Sequence, residues 1–434
     1  MYVFKFAIFQ IDTICRMGAW HQLRAVSRLC QIQQCQQLLN VNSSFTQLSQ
    51  QRHQHDIALS ELPSKAEVVI CGAGMIGNSI AYHLVKRGWN DIVIIEKGDK
   101  VASGTSKYGS GMLGLFRPKH ERKIVEYCIE VYSQLQEEGY DLGLVHCGSV
   151  NLASTEDRMI SLRRRVSAYK PTGIDCHLVP PEQIKSLHKY VDTDGILGGV
   201  WVPKDACVDA GKVSEVFAYI ASQGGAKFVP KCGINKVVTS TSTGHDNVSQ
   251  PHENQTRHTR IHGVDTEQGF IECKYFINTA GIWAREIGKK TDTKRPVRIP
   301  IAPAEHFFMR FQGPISGLDN EMLPIVRDYD SQIYVRQNGT SMMMGAFENL
   351  ARPYDVTKGI DPDWNQIREE HWMHFQPYIA AAQKRIPILK EVQYESLLNT
   401  PDAFTPDGKW ILGETPEVEN YFVSFIYSYF TLPF

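Results

Sequence analysis

The stretch AEVVICGAGMIGNSIAYHLVKRGWNDIVIIE, residues 66–96, decides the fold. Its first apolar run, Glu67–Cys71, is short and rich in valine and isoleucine, which suits a strand buried on both faces of a parallel sheet. Gly72, Gly74 and Gly77 follow with the spacing G-x-G-x-x-G. In dinucleotide-binding βαβ units these glycines permit a tight turn, a close approach of the backbone to a pyrophosphate, and close packing of the next helix.

The residues that follow supply the rest of such a unit. A helix is predicted over Met75–Arg87 and ends at Gly88, and its N-terminal N–H groups would favour phosphate charge. A second strand, Asp91–Ile95, ends in Glu96, where an acidic residue binds a ribose hydroxyl. Because strand, turn, helix, strand and acid occur in this order, the sequence predicts a site for FAD or NAD. An ordinary βαβ unit without a nucleotide is the alternative.

Further segments resemble the glycine-oxidase and dimethylglycine-dehydrogenase group of flavoproteins. The segments that carry the resemblance are Glu96 with Gly104–Ser106, Cys147–Ala153, Asn278–Ala284, Phe404–Asp407 and Gly413–Pro416. Together they cover about residues 65–423. In that group the loop after the second strand runs alongside the flavin, so the resemblance implies FAD as the cofactor.

The resemblance also implies which residues hold the FAD. They are Gly72, Gly74, Met75, Ile76, Gly77, Glu96, Lys97, Gly104, Thr105, Ser106, Tyr108, Gly111, Val238, Ala280, Gly281 and Trp283. In the dimethylglycine and sarcosine dehydrogenases a histidine of this loop binds FAD covalently, and the matching position here is Tyr108. A tyrosine cannot form the histidyl link, so the FAD is predicted to be non-covalent.

Candidate catalytic residues lie in the second half of the chain. Tyr334 and Arg336 alternate to the same face of a predicted strand, so the guanidinium could hold a carboxylate while the hydroxyl donates a hydrogen bond. Arg327 is a second candidate anchor; alternatively, Arg336 is solvated or pairs with Glu348. His306 stands where the family often places a cofactor-facing residue, and it is either a base or a hydrogen-bonded core histidine.

Two branches of the family fit the chain. Tyr108, Ala304–Phe308 and Asn399–Asp407 look most like the branch of regulatory subunits of the mitochondrial pyruvate dehydrogenase phosphatase. That resemblance implies the catalytic subunit of the phosphatase as a partner. Arg327–Asp328 with Tyr334–Arg336 resembles the dehydrogenase branch equally well. The alternative function is therefore a FAD-dependent dehydrogenase or oxidase of N-methylated amino acids, and an inert truncated isoform is the third.

The first sixty residues differ in composition from the rest. No acidic residue occurs between Asp12 and Asp56, whereas Arg16, Arg24 and Arg28 supply positive charge. This is typical of a mitochondrial transit peptide, which predicts a matrix protein; a disordered glutamine-rich arm is the alternative. At the other end, Ser424–Phe434 stands where the family continues into a glycine-rich loop and helix, so a C-terminal truncation is predicted.

The pattern of elements predicts a mixed α/β fold, in which a FAD-binding Rossmann-like domain is interleaved with an antiparallel-sheet substrate domain. The predicted parts are a leader at 1–60, cofactor-binding parts at about 65–145, 205–300 and 395–434, and substrate-domain parts at about 146–204 and 301–394. Helices are predicted over 119–138 and 363–379, and an exposed polar insertion over 240–260.

Composition excludes several classes of function. A net charge of −1 with 21% charged residues gives no reason to expect a nucleic-acid partner. The ten cysteines show no C-x-x-C pair, so neither a metal site nor a disulfide framework is predicted, and a reducing compartment is the simplest reading. No apolar run is long enough for a membrane span.

Overall fold

The computed structural model of the chain describes residues 57–242, 258–318, 322–357 and 366–425. Its strands form two sheets of eight strands and two small sheets of two. The helices in the described ranges are α1 (Met75–Val85), α2 (Lys119–Glu137), α3 (Glu156–Tyr169), α4 (Pro181–Leu187), α5 (Ala210–Gln223), α6 (Ala284–Lys289) and α7 (Glu369–Arg385).

The strands are numbered in chain order. They are β1 (Lys65–Cys71), β2 (Ile92–Ile95), β3 (Met112–Leu113), β4 (Ser149–Ala153), β5 (His177–Val179), β6 (Gly198–Val202), β7 (Ala206–Cys207), β8 (Lys227–Val229), β9 (Ile234–Ser242), β10 (His258–Thr266), β11 (Gly269–Asn278), β12 (Ala302–Ala304), β13 (Phe307–Phe311), β14 (Ile325–Asp328), β15 (Ile333–Asn338), β16 (Ser341–Ala346), β17 (Tyr394–Asn399), β18 (Asp402–Phe404), β19 (Ile411–Glu414) and β20 (Tyr421–Phe425).

The first large sheet is built around β1. Its order is β19–β20–β11–β1–β2–β8, with β9 and β10 added beside β11, and β20, β11, β1, β2 and β8 run parallel. Val68, Val69 and Ile70 are fully buried because both faces of β1 are covered. Val68 and Ile70 pack with residues of α1 and α5, and Val69 packs with residues of β9 and β10.

The second large sheet has the order β17–β13–β16–β15–β14–β4–β6–β5, and all its pairs are antiparallel except β14 with β4. Helix α7 covers one face, where Phe375 and Ile379 pack with Phe307, Met309 and Met344. The strands of this sheet lie between the segments of the first sheet along the chain. The predicted interleaved α/β fold is therefore confirmed.

Some predicted elements need correction. The helix predicted over 363–379 is α7, Glu369–Arg385, because its buried apolar positions continue through Ala382 and Pro387 then starts a separate 3-10 turn. Residues 358–365 lie outside the described ranges. Helix α3 was not predicted, although Thr155 caps it by accepting a hydrogen bond from the Arg158 N–H.

Other predictions fall partly or wholly outside the described residues. The polar insertion is shorter than predicted, since β9 extends to Ser242 and β10 begins at His258; residues 243–257 lie outside. The leader lies outside up to residue 56, and the chain end lies outside from residue 426. In the ranges that are described, no helix is long and apolar enough to cross a membrane, and no group of three or more His, Cys, Asp or Glu side chains is placed to hold a metal ion.

Candidate cofactor and ligand site

The turn between β1 and α1 has the close backbone contacts that the glycine spacing predicts. Gly72 has φ +104°, a conformation that favours glycine. A Cβ on Gly77 would lie 2.0 Å from the Gly72 carbonyl oxygen, and a Cβ on Gly74 would lie 3.1 Å from Ser106 Oγ. The start of α1 is therefore held directly against the end of β1.

Glu96 ties this turn to the next loop. Its Oε2 accepts a hydrogen bond of 2.8 Å from the Ala73 N–H, and its Oε1 accepts one of 2.8 Å from the Gly98 N–H. The neighbouring Lys97 is exposed. The carboxylate is thus fixed at the carboxyl end of β2, where a ribose hydroxyl would meet it.

A segment that the sequence did not single out also contacts this loop. The Lys231 N–H donates to the Gly98 carbonyl and the Cys232 N–H donates to the Glu96 carbonyl, each at 2.8 Å. Only backbone atoms make these contacts, so they cannot be predicted from the residue types at these positions. Val238 lies further along, on β9 opposite Gly263 of β10, and its cofactor role stays a prediction.

The loop with Gly104 and Thr105 reaches the N-terminus of α1. Ser106 Oγ accepts a hydrogen bond of 3.0 Å from the Met75 N–H. The N-cap residue of α1 is Gly74, which has no side chain that could cap the helix, so Ser106 supplies this acceptor. Tyr108 ends a 3-10 turn and is half-buried. The loop then passes Gly111, whose φ of +66° brings its carbonyl to the Val208 N–H at 2.9 Å.

The return from β11 lies beside the same turn. Thr279 Oγ1 donates to the Cys71 carbonyl at 2.7 Å, and Ala280 N–H donates to Asn278 Oδ1 at 3.2 Å. Gly281 has φ +54° and begins a short 3-10 turn. Among the described residues, the buried Trp283 Nε1 has no hydrogen-bond partner, so this donor can serve a bound group.

These features fit FAD. The α1 N-terminus has no acidic residue in its first turn, which leaves its N–H dipoles for a pyrophosphate. Methyl groups on Gly72 or Gly77 would clash with backbone oxygens of Thr279 and Gly72, so the tight packing of this turn depends on glycine. The predicted residues 72–77, 96–111 and 280–283 thus meet where β1, β2 and β11 end side by side.

Tyr334 lies on the second sheet and is buried. Its ring covers Gly345, where a Cβ would lie 2.2 Å from the hydroxyl oxygen. Its hydroxyl is hydrogen-bonded to Ser110 of the loop that follows β2. Burial raises the pKa of Tyr334, so the phenol stays protonated. Tyr334 therefore connects the second sheet, through this hydrogen bond, to the loop that is predicted to run alongside the flavin.

Arg336 lines a cavity of about 340 Å³ between the second sheet and the segments at 107–109 and 207–210. Arg310, which was not predicted, lines it too, because Arg310 of β13 and Arg336 of β15 both pair with Met343 of the intervening β16. Among the described residues, neither Nε atom has a hydrogen-bond partner. Two guanidiniums directed to one cavity can bind a carboxylate.

The other candidate anchor is held in a structural contact. Arg327 Nη1 donates to the fully buried Asp205 at 3.0 Å. Arg336 is neither solvated nor paired with Glu348, since Glu348 contacts His306 instead. The geometry therefore favours Arg336 as the anchor.

His306 and Glu348 form a buried pair, with 3.4 Å between Nδ1 and Oε2. Burial lowers the pKa of His306, but the hydrogen bond and charge of Glu348 outweigh it and the pKa is raised. Burial raises the pKa of Glu348, but His306 and His374 outweigh it and the pKa is lowered. Both shifts favour the charged forms, so the geometry favours His306 as a hydrogen-bonded partner of Glu348 and not as a general base.

The Glu348→Gln variant is expected to have a free energy of unfolding about 2 kcal/mol lower than wild type, and the size of this loss should depend on pH. Because folding raises the pKa of His306, its protonation stabilises the fold; the contribution is complete below pH 6.5 and is lost as the pH rises through the pKa of the folded state. The lowered pKa of Glu348 stabilises it fully above 4.5 and this contribution is lost as pH falls. Urea titrations should show the largest difference from wild type between pH 4.5 and 6.5. A difference that is constant from pH 4 to 9 would contradict the charged pair.

Comparisons with known proteins agree with this geometry. Mouse pyruvate dehydrogenase phosphatase regulatory subunit, mitochondrial, is 35% identical over 371 residues, 85% of this chain and 39% of that protein. Human sarcosine dehydrogenase, mitochondrial, is 29% identical over 370 residues, 83% of this chain and 37% of that protein. This chain thus spans about two-fifths of the length of both relatives.

Solved structures show the same fold. L-Proline dehydrogenase from P. horikoshii matches with a TM-score of 0.71 and 23% identity over 85% of this chain and 90% of that one. The family model of FAD dependent oxidoreductases matches residues 67–430. These matches confirm the predicted resemblance, and the chain belongs to the family of FAD-dependent oxidoreductases.

Proposed function

We propose that this chain acts as a regulatory subunit of a mitochondrial pyruvate dehydrogenase phosphatase, built on a FAD-binding fold. The observation that carries the proposal is the 35% identity to the mouse regulatory subunit, against 29% to human sarcosine dehydrogenase over a similar length. The proposed partner is the catalytic subunit of the phosphatase, and the proposed location is the mitochondrial matrix, directed by a transit peptide within residues 1–60.

The cofactor is proposed to be FAD, bound non-covalently. Gly72–Gly77 and the α1 N-terminus would hold the pyrophosphate, Glu96 would hold the ribose, and Ser106 would position the loop. Tyr108 occupies the position matched to the flavin-linking histidine, and a phenol does not form that link.

Acid precipitation tests this bond directly. The purified protein is expected to be yellow, and all of its flavin should appear in the supernatant after precipitation, measured by visible absorption. A Tyr108→Phe variant is the matched control and should release its flavin in the same way. Flavin retained in the wild-type pellet would contradict non-covalent binding.

Association with the phosphatase tests the regulatory role. Immobilised catalytic subunit should retain this protein, and the rate at which the catalytic subunit dephosphorylates its substrate should change when the protein is added. Human sarcosine dehydrogenase is the matched control, since it shares the fold and should do neither. A chain that neither binds the catalytic subunit nor changes its rate would overturn the proposal.

A second candidate function is the oxidation of an N-methylated amino acid, and the cavity with Arg310 and Arg336 favours it. Bound flavin supplies the hydride acceptor. The chain's own residues would bind the carboxylate through the guanidiniums and orient the substrate near the Tyr334 hydroxyl.

Turnover separates the two functions. Sarcosine, dimethylglycine and glycine are supplied with an artificial electron acceptor, and saturable turnover would favour the enzyme. In that case Arg336→Gln should lower kcat/KM about a hundredfold, because a hydrogen bond to a charged group is lost. Exposed Arg163→Gln is the matched control and should leave kcat/KM unchanged.

A further inference from the structure

Two cysteines lie side by side in the wall of the cavity that Arg336 lines. Cys147 Sγ is 4.0 Å from Cys207 Sγ, and both residues line the cavity. The backbones are hydrogen-bonded on either side of the pair: Val145 and Cys207 exchange bonds of 2.8 and 2.9 Å, and the Gly148 N–H donates to the Asp205 carbonyl at 2.8 Å. These hydrogen bonds between the two backbone segments therefore keep the two sulfurs next to each other.

The local charges make one of the two thiols the nucleophile. The hydrogen bond from Cys147 and the positive charge of Arg336 lower the pKa of Cys207 to about 7, although burial opposes this. The pKa of Cys147 is raised by the same hydrogen bond and by burial. Since thiolates are the reactive form, Cys207 reacts first and Cys147 is placed to resolve the product.

We propose that Cys147 and Cys207 form a reversible disulfide, and that this modification controls how strongly the Arg336 cavity binds a carboxylate. The pair lies in the described fold, so disulfide formation does not depend on which function the protein has. The effect on binding rests on the carboxylate-anchoring role of Arg336 proposed above.

The oxidant is a small peroxide that fits a cavity of about 340 Å³. The Cys207 thiolate attacks one oxygen of hydrogen peroxide, the O–O bond breaks, and hydroxide leaves with the electron pair. The resulting sulfenic acid is attacked by the Cys147 sulfur, which loses its proton, and water leaves as the S–S bond forms. Two thiols and one peroxide thus give one disulfide and two waters, and a thiol reductant reverses the step.

The effect on the cavity follows from charge. In the reduced protein the Cys207 thiolate neutralises part of the Arg336 charge and competes with an incoming carboxylate. In the disulfide this negative charge is gone while the guanidinium remains. Oxidation therefore strengthens carboxylate binding.

Peroxide treatment of the full chain tests the pair. After stoichiometric hydrogen peroxide, peptide mapping without reductant should join the Cys147 and Cys207 peptides, and the number of alkylated thiols should fall by two. Cys147→Ser should instead leave a sulfenic acid on Cys207 that dimedone traps. Cys128→Ser is the matched control, since Cys128 lies half-buried on α2, and it should behave as wild type does.

Acetate serves as the probe for the cavity. Its dissociation constant, measured by calorimetry, should fall about fivefold on oxidation of the wild type, at the low end of coupling between two sites. Cys207→Ser should bind acetate as the oxidised protein does and should not respond to peroxide.

The outcomes separate this proposal from the proposed function. Absence of the joined peptides, while other cysteines are oxidised, would overturn the disulfide. Joined peptides with an unchanged acetate affinity would overturn the control of the cavity. Neither result bears on association with the phosphatase, which is measured separately.

Discussion

Replacing Gly77 with alanine is expected to abolish flavin binding and to lower the free energy of unfolding by about 2–3 kcal/mol. The added methyl group would lie 2.0 Å from the Gly72 carbonyl oxygen and would also meet Thr279 Oγ1 at 2.8 Å. Backbone atoms cannot move aside as a flexible side chain does. The turn at the end of β1 must therefore open, which displaces the α1 N-terminus that would face the pyrophosphate.

Two measurements check this result: urea unfolding, and the flavin content of protein purified with added FAD. Gly104→Ala is the matched control for unfolding, because it adds the same methyl group where nothing lies within 4 Å. Its free energy of unfolding should stay within about 0.5 kcal/mol of wild type. A Gly77→Ala protein that retains full flavin would contradict the predicted role of this turn.

The sequence predicts the cofactor turn because its determinants are local. Gly72, Gly74 and Gly77 lie within six residues, and Glu96 follows one helix later. Their spacing along the sequence is therefore enough to predict the geometry of the turn between β1 and α1. The alternating residues of β15 likewise predict that Tyr334 and Arg336 share a face. In both cases the periodicity of one element is enough.

The rest depends on pairings that the sequence does not display. Arg310 reaches the Arg336 cavity only because β16 lies between β13 and β15, and this strand order is non-local. Lys231 and Cys232 contact the Glu96 loop through backbone atoms, which carry no residue signature. The Cys147–Cys207 contact joins residues 60 positions apart whose spacing resembles no known motif. Such contacts require the tertiary structure.

Asp205→Ala is expected to cause the largest loss of stability, about 3–5 kcal/mol. Asp205 is fully buried and accepts three hydrogen bonds: from Arg327 Nη1 at 3.0 Å, from Ser149 Oγ at 2.6 Å and from the Leu115 N–H at 2.7 Å. The carboxylate thus joins β4, β14 and the chain that leaves the cofactor loop. Without it, the buried Arg327 guanidinium keeps its charge but loses the Asp205 carboxylate, and the Ser149 and Leu115 donors lose their acceptor.

Urea unfolding checks this, and two variants separate the causes. Asp141→Ala removes the exposed pair with Lys212 and should cost less than about 1 kcal/mol, since solvent screens it. Asp205→Ala combined with Arg327→Met removes both buried charges and should recover part of the loss. If Asp205→Ala costs no more than Asp141→Ala, the buried pair does not hold β4, β14 and the segment at Leu115 together. If instead the loss is large and the double variant recovers none of it, the hydrogen bonds to Ser149 and Leu115 carry the stability, and the ion pair does not.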